Sequence, residues 1–292
     1  MSLINTTLLM SGADYFSNDQ PINPYYAEET IDKTTAISEH AEIKQAFETA
    51  GINVIKADPP STSQDGVYAA NWALVRNNTA VLARLPNARK TEEDWAENIL
   101  RSQGLEVIRV PENWKFSGQG DALPCGNYLF CGSTYRSDEE AQQFAADILG
   151  YTRIQLRAVP QQDENGNEMI NASSGWPDSF YYDIDLALSV IKGPSEHSLG
   201  TIAYCPDAFV PESQKILNEL EGFEKIIVSE YEAKQAFACN LVSTGETVVM
   251  SANAPRLKAD LEARGLTVMT PRITELAKGG GYIRCTSLSF NV

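Results

Sequence analysis

Residues 121–159 read DALPCGNYLFCGSTYRSDEEAQQFAADILGYTRIQLRAV, and this stretch decides how the chain folds. Two short apolar runs, DALPCG and YLFCGS, meet at a tight polar turn, the pattern of two paired strands. An amphipathic segment follows and ends at Gly150. Glycine just after a helix accepts the left-handed conformation that closes a helix C-terminus. Ser137 and Glu140 have the spacing of a capping box at its start. A third strand-like run, YTRIQLRAV, comes next. The unit is therefore strand–strand–helix–strand.

The same unit recurs on both sides. Four more helical segments end in glycine: AISEHAEIKQAFETAG at Gly51, TEEDWAENILRSQG at Gly104, PESQKILNELEG at Gly222 and APRLKADLEARG at Gly265. Strand-like runs follow each: INVIKAD, LEVIRVP, FEKIIVS and LTVMTPR. Pairs of β-rich runs precede the other helices: GVYAANWALV with TAVLARL, FYYDIDLALSVI with GTIAYCP, and FACNLV with ETVVMS. The first unit has only NTTLLMS before its helix, and the last run, GYIRCTSLSF, lacks a partner. Pairing those two closes a ring. The expected fold is α/β, a five-bladed propeller of strand–strand–helix–strand repeats in one domain, residues 1–292. An open α/β sandwich is the alternative. Residues 160–179, polar and turn-rich, read as a surface loop near the site face.

Composition narrows the function. The chain has 292 residues, 43% of them apolar and 21% charged, the balance of a globular protein. No apolar run approaches the roughly 18 residues of a membrane span, so no membrane partner is expected. Net charge is −16, from 39 acidic and 23 basic residues. Such a surface repels phosphate backbones, which argues against nucleic acid and for a cationic small molecule. Five cysteines, odd in number and without a C-x-x-C pair, suit neither a zinc site nor a disulfide framework. A cytoplasmic setting and no cofactor are expected. A homodimer is compatible with the sequence.

In this order, several segments resemble the pentein superfamily of guanidine-modifying enzymes: arginine deiminases, dimethylarginine dimethylaminohydrolases, amidinotransferases and arginine dihydrolases. They are LLMSGADYFSNDQPINPYY, DGVYAANWALVRNNTAVLAR, SGQGDALPCGNYLFCGSTYRSD, YYDIDLAL and GGGYIRCTSL. The resemblance spans nearly the whole chain. It implies a five-bladed propeller with its active site on the central axis and a cysteine nucleophile. The sequence departs from the family pattern twice. Asp183 stands where the family has its catalytic histidine, and Ser117 where a glutamate is usual. His40 and His197, the only histidines, are not placed to substitute.

Cys285 is the expected nucleophile. It reads as lying on a strand with Ile283 and Ser287 on the same face, behind Gly279-Gly280-Gly281. Those glycines are expected to leave an opening for substrate and to bring backbone amides that lower the thiol pKa. A buried core cysteine is the plainer reading, and the one given to Cys125, Cys131, Cys205 and Cys239. Asp183 and Asp185, two apart on a strand, are expected to share a face. Two carboxylates in an apolar run call for a cation, solvent or a partner. Asp185 matches the family's guanidinium-binding aspartate. Asp183, its pKa raised by its neighbour, is expected to carry a proton in catalysis. Asp121 in a turn and Asn71 in an apolar strand are expected to contact the cationic group. Arg136 and Arg84, each ending an apolar strand, suit a substrate carboxylate. No metal is expected: Asp121, Asp183 and Asp185 lack a recognisable metal-binding loop. The expected activity is cysteine-dependent hydrolysis of a carbon–nitrogen bond in an arginine-like guanidine. The alternatives are an amidinotransferase, or a catalytically impaired pentein that only binds a cationic ligand.

Overall fold

The computed structural model describes residues 3–26, 29–132 and 135–290. Ser133 and Thr134, inside the segment read as approaching Arg136, lie outside that set, as do the four terminal residues. The elements run in chain order as β1 (Thr7–Met10), α1 (Lys33–Thr49), β2 (Asn53–Lys56), β3 (Ala73–Arg76), β4 (Thr79–Leu82), α2 (Glu92–Ser102) and β5 (Glu106–Arg109). Next come β6 (Ala122–Cys125), β7 (Tyr128–Cys131), α3 (Glu139–Leu149), β8 (Thr152–Gln155), β9 (Leu188–Lys192), β10 (Gly200–Tyr204), α4 (Pro211–Glu219) and β11 (Phe223–Ile227). The chain ends with α5 (Glu230–Ala236), β12 (Val242–Ser243), β13 (Thr247–Val249), α6 (Pro255–Ala263), β14 (Thr267–Met269) and β15 (Ser287–Ser289).

These strands form five three-stranded sheets: β15-β1-β2, β3-β4-β5, β6-β7-β8, β9-β10-β11 and β12-β13-β14. In each, an antiparallel pair is joined by a parallel third strand that follows a helix. The fold is thus the five-bladed α/β propeller. Both ends of the chain share one blade: Leu8 pairs with Ser289, Leu9 with Leu288 and Met10 with Ser287. That antiparallel ladder closes the ring, because β1 would otherwise present an open edge.

The glycine stops behave as their chemistry requires. Gly51, Gly104, Gly150, Gly222 and Gly265 have φ of 83°, 83°, 70°, 81° and 80°. Pro211 occupies the first turn of α4, where its missing N–H costs nothing. The capping box does not form. Asp138 is the N-cap of α3 and makes no side-chain cap, while the Ser137 hydroxyl accepts a hydrogen bond from Ser117 N at 3.0 Å. Ser137 is spent on the axis of the ring instead of its own helix. The short helix α5 has no counterpart in the sequence reading. Residues 160–179 form the expected surface loop. At its end Asp178 lies close enough to Arg136 for the guanidinium to stabilise its carboxylate against the effect of burial. Among the described residues, no helix is long and apolar enough to cross a membrane.

Candidate active site

Each blade starts with a tight turn near the axis, and these turns carry the polar residues. A 3-10 turn, Ala69–Trp72, precedes β3 and holds Asn71. Another, Gly118–Gly120, precedes β6 and ends at Asp121. A third, Ile184–Leu186, precedes β9, with Asp183 at its N-cap and Asp185 inside it. Asn240 lies two residues before β12, and Cys285 two before β15.

The strand settings expected for Asn71, Asp183, Asp185 and Cys285 are therefore corrected: all four sit in turns. Local backbone bonds make this so. Leu186 N reaches Asp183 O at 3.2 Å, Ala187 N reaches Ile184 O at 2.9 Å, and Ser287 N reaches Arg284 O at 3.1 Å. Bonds three residues apart curl the chain, and strand alternation does not survive that.

Cys285 is buried at the centre of this cluster. Asn240 clamps it from two sides. Its Nδ2 donates to Cys285 Sγ at 3.1 Å, and its Oδ1 accepts from Cys285 N at 3.1 Å. The thiol faces Asp185 Oδ2 at 3.5 Å. Asp183 Oδ2 accepts from Asn71 Nδ2 at 2.8 Å, and that amide also reaches the Ser117 hydroxyl at 2.9 Å. Asn71 Oδ1 in turn accepts from Arg89 NH1 at 2.7 Å. Asp183 Oδ1 and Asp185 Oδ1 are buried without any hydrogen-bond partner. Asp121 faces backbone: its Oδ1 accepts from Ile184 N at 3.0 Å, which fixes the turn carrying Asp183 and Asp185.

The electrostatics follow from burial. Desolvation holds the carboxyls of Asp121 and Asp185 well above the usual range, and the charge of Asp183 adds to both. Desolvation also raises Asp183, against the pull of Arg136. The Cys285 thiol is pushed well up, first by burial and then by Asp185. Hydrogen bonds from Tyr282 N–H and Asn240 oppose that push without overcoming it. The expectation of a thiol with a depressed pKa is thus reversed for the unliganded protein, because burial disfavours the thiolate and the neighbouring Asp185 and Asp183 add to that.

The glycine run has another purpose than the one expected. A Cβ on Gly281 would overlap the Tyr68 ring, one on Gly279 would overlap the Tyr68 hydroxyl, and one on Gly280 would overlap Asn23. The space next to the glycines is filled, not open. Tyr68 Oη donates to Leu276 O at 2.6 Å, Tyr182 Oη donates to Gly280 O at 2.7 Å, and Asn23 Nδ2 donates to Gly279 O at 3.0 Å. Gly280 also has φ of 83°. The glycines let two tyrosines and an asparagine pin the segment that leads to Cys285.

A narrow cleft reaches Cys285, lined also by Asn71, Arg89, Arg136, Tyr68 and Tyr182. Arg136 stacks 4.0 Å above the Tyr182 ring and donates through NH2 to Ile22 O at 2.7 Å. Asp65, in the same wall, accepts from Tyr26 Oη at 2.6 Å, and burial raises its pKa to about 6.

The structure does not bring Arg84 to this cluster. Its Nε donates to Val110 O at 2.7 Å, and its NH1 pairs with Glu93 at 2.9 Å. Arg89, which the sequence reading passed over, stands at the cleft instead. Asn240 was missed too, having been read as part of a β-rich run. A signal existed: Asn71, Asn240 and Cys285 each stand two residues before the first strand of a blade. His40 is buried on α1, its pKa lowered by desolvation to about 4, and His197 lies in an exposed loop. Among the described residues no group of three or more His, Cys, Asp or Glu side chains is arranged to hold a metal ion.

Five small sheets around an axis that carries one cysteine and its ring of acids and amides place the chain in the pentein superfamily. The sequence pattern described as N,N dimethylarginine dimethylhydrolase, eukaryotic, matches residues 13–167, and the chain belongs to that family. It is 27% identical over 289 residues to the bifunctional arginine dihydrolase/ornithine cyclodeaminase ArgZ of Synechocystis, covering 96% of this chain and 37% of ArgZ. It is 28% identical to the N(G),N(G)-dimethylarginine dimethylaminohydrolase of Mycobacterium tuberculosis, covering 97% of this chain and 85% of that protein. The crystal structure of the substrate-bound N-terminal domain of ArgZ superposes with a TM-score of 0.84 at 26% identity, covering 98% of each chain. The chain thus spans little more than a third of full-length ArgZ but 98% of that domain.

Proposed function

We propose that this protein is a cysteine-dependent hydrolase that cleaves a carbon–nitrogen bond of the guanidinium of a small arginine-like amino acid. One observation carries the reading. Cys285 Sγ lies 3.5 Å from Asp185 Oδ2, in a cluster where two buried carboxylate oxygens, Asp183 Oδ1 and Asp185 Oδ1, have no partner. Unpaired buried carboxyls cost free energy, and a planar cation with several N–H donors would satisfy them.

The same cation would reverse the pKa order of the site. In its absence burial pushes the Cys285 thiol and the Asp185 carboxyl well up, toward their neutral forms. A bound guanidinium stabilises thiolate and carboxylates together. Cys285 then attacks the central carbon, and a carbon–sulfur bond forms. A protonated nitrogen leaves as ammonia or an amine, and water resolves the thiouronium intermediate. Asp183, next to Asp185 and held by Asn71, delivers and accepts protons where the family uses histidine. Arg136 binds the substrate carboxylate at the cleft mouth. Asp121 acts through the turn it fixes and not by touching substrate. The relatives' names supply the substrate class, arginine and its methylated forms.

A second reading rests on Asp183 itself. With no histidine in the cluster, a protein that binds the cation and does not turn it over fits the same geometry. Incubation with L-arginine or asymmetric dimethylarginine, acid quench and intact-mass measurement separates the two. The expected result is a covalent adduct, with released ammonia or dimethylamine, both abolished in Cys285→Ala. Saturable binding without adduct or amine release sinks the hydrolase reading.

A further inference from the structure

Ser117 and Asp183, the two positions at which the chain departs from the family pattern, meet in the structure through one amide. Asn71 Nδ2 donates to Asp183 Oδ2 at 2.8 Å, to Ser117 Oγ at 2.9 Å and to Ser117 O at 3.1 Å. That amide cannot turn round. Its Oδ1 is held at 2.7 Å by Arg89 NH1, a group that only donates, and Arg89 is tied to Glu92 through Nε and NH2 at 2.8 and 2.7 Å. Gly120 makes the close approach possible: a Cβ there would overlap both Asn71 Nδ2 and Asp183 Oδ2.

Counting hydrogens shows what Ser117 does there. An amide nitrogen carries two: one serves Asp183 Oδ2, and the other is shared between the two oxygens of Ser117. Ser117 Oγ is thus an acceptor toward Asn71, and its own hydrogen is free to donate. Ser117 is buried, its backbone N–H is spent on Ser137 Oγ at 3.0 Å, and the acid within reach of its hydroxyl is Asp183. Burial raises the Asp183 carboxyl, while Arg136, the Ser117 hydroxyl, the Asn71 amide and Arg89 oppose it, in that order. The two oxygens of this carboxyl are therefore unequal. Oδ2 is wrapped in donors, and Oδ1 is buried without a partner. An acidic side chain at position 117 would set a second carboxyl against Asp183 where a donor now stands. A hydroxyl at 117 and a carboxyl at 183 suit each other.

We propose that Ser117 is a positioning residue for Asp183: with the Asn71 amide it occupies Oδ2, so that Oδ1 is the oxygen turned to the reacting atoms, and the two departures from the family pattern form one compensating pair. The proposal rests on the hydrolase reading above and assigns it an atom. Oδ1, as carboxylate, accepts an N–H of the nitrogen that leaves. When that nitrogen has gone, water takes its place against Oδ1. The water O–H bond breaks as Oδ1 takes its proton, and a carbon–oxygen bond forms. The carbon–sulfur bond then breaks and returns the thiolate. Ser117 touches neither substrate nor water; it acts through Asp183.

The test compares Ser117→Ala with Ser117→Thr, which keeps the hydroxyl. Initial rates of amine release from L-arginine and asymmetric dimethylarginine are measured from acid to alkaline pH. In Ser117→Ala, kcat should fall about tenfold with KM within about threefold of wild type, the loss of one hydrogen bond to a charged group. The acid limb of kcat/KM should move to higher pH. The lost donor favoured the carboxylate, and the basic form disappears as pH falls through a pKa that is now higher. The other groups that face Asp183 are Arg136, Arg89, Asp121, Asp185, Cys285 and Tyr182, and all are intact in the variant. Ser117→Thr should keep the wild-type limb. An active wild type whose acid limb is unmoved in Ser117→Ala overturns the positioning role alone, and so does a folded Ser117→Thr whose limb is displaced. A wild type that releases no amine overturns the hydrolase reading and this proposal with it.

Discussion

Two groups of buried charges lie side by side in this protein and are treated in opposite ways. In the second blade, Arg84 pairs with Glu93 and Arg89 with Glu92, at 2.9 and 2.7 Å. Glu92 also accepts from Trp72 Nε1 at 2.9 Å and from the Ser63 hydroxyl at 2.5 Å. Every charge there has its counter-charge and its hydrogen bonds. At the axis, Asp183 and Asp185 have no ion pair among the described residues, and each keeps one oxygen unpartnered. The first network is complete in the protein alone. The second is completed only by something that binds. Arg89 joins them, since its NH1 holds the Asn71 amide that holds Asp183. A satisfied network fixes the geometry of an unsatisfied one, and the unsatisfied one is where chemistry is available.

Breaking the complete network should have the largest effect on stability. Arg89→Met leaves Glu92 buried and unpaired, which should cost about 3–5 kcal/mol of unfolding free energy in urea titration. A loss below about 1 kcal/mol would mean the two regions do not differ as described.

Asp185→Asn sharpens the comparison from the other side. It removes an ionisable group that the empty site disfavours, so it should raise stability near neutral pH, by about 1 kcal/mol. Turnover should fall by about 10²–10⁴-fold. The pH dependence has a definite sign. The folded protein keeps protons on Asp121, Asp183 and Asp185 at pH values where the unfolded chain has lost them. Their contribution to stability is full below the unfolded pKa of about 3.9 and is lost as pH rises through the elevated folded values. Thermal melts of wild type and Asp185→Asn across that range should diverge as pH rises. Parallel curves would show that Asp185 is not held protonated.

The smallest effect belongs to the surface. Lys44 and Glu48 form an i,i+4 pair on α1 with side chains 35% and 40% exposed. Lys44→Ala should change stability by no more than about 0.5 kcal/mol, and less at high salt. A larger change in the urea midpoint would show that exposed pairs matter here as much as buried ones.

Most of the architecture was legible in the chain because its signals are local. Helices that end on glycine, strand pairs joined by short polar turns, and an unpaired strand at each end were enough to draw a closed ring of five. Cys285, Asp185, Asp183 and Asn71 stood out as polar side chains inside apolar runs, and the resemblance to the pentein superfamily singled them out as expected site residues. Their conformation was not. Alternation over a few residues looks the same for a strand as for a turn leading into one, and the i to i+3 bonds that decide between them are not written in the pattern. Arg84 was misplaced and Arg89 overlooked for a related reason. Arg84 lies two residues beyond β4 and Arg89 in the turn before α2, and the positions of Glu92 and Glu93 on α2 determine that Arg84 is tied to Glu93 away from the cleft while Arg89, paired with Glu92, reaches it.

The sequence by itself determined the repeat, the ring and the residue types at its centre, since capping, turn chemistry and burial of apolar faces act over a few positions. Tertiary structure decided which polar atoms are satisfied and which are left over. Cys285 is hemmed in by Asp185 from 100 positions earlier in the chain, Asn71 bonds Asp183 across 112, and the glycine run packs on Tyr68 from more than 200 away. Desolvation and charge at that centre depend on how five turns converge. The state of the thiol, the filling of the glycine gap and the cleft beside the axis exist only once they have done so.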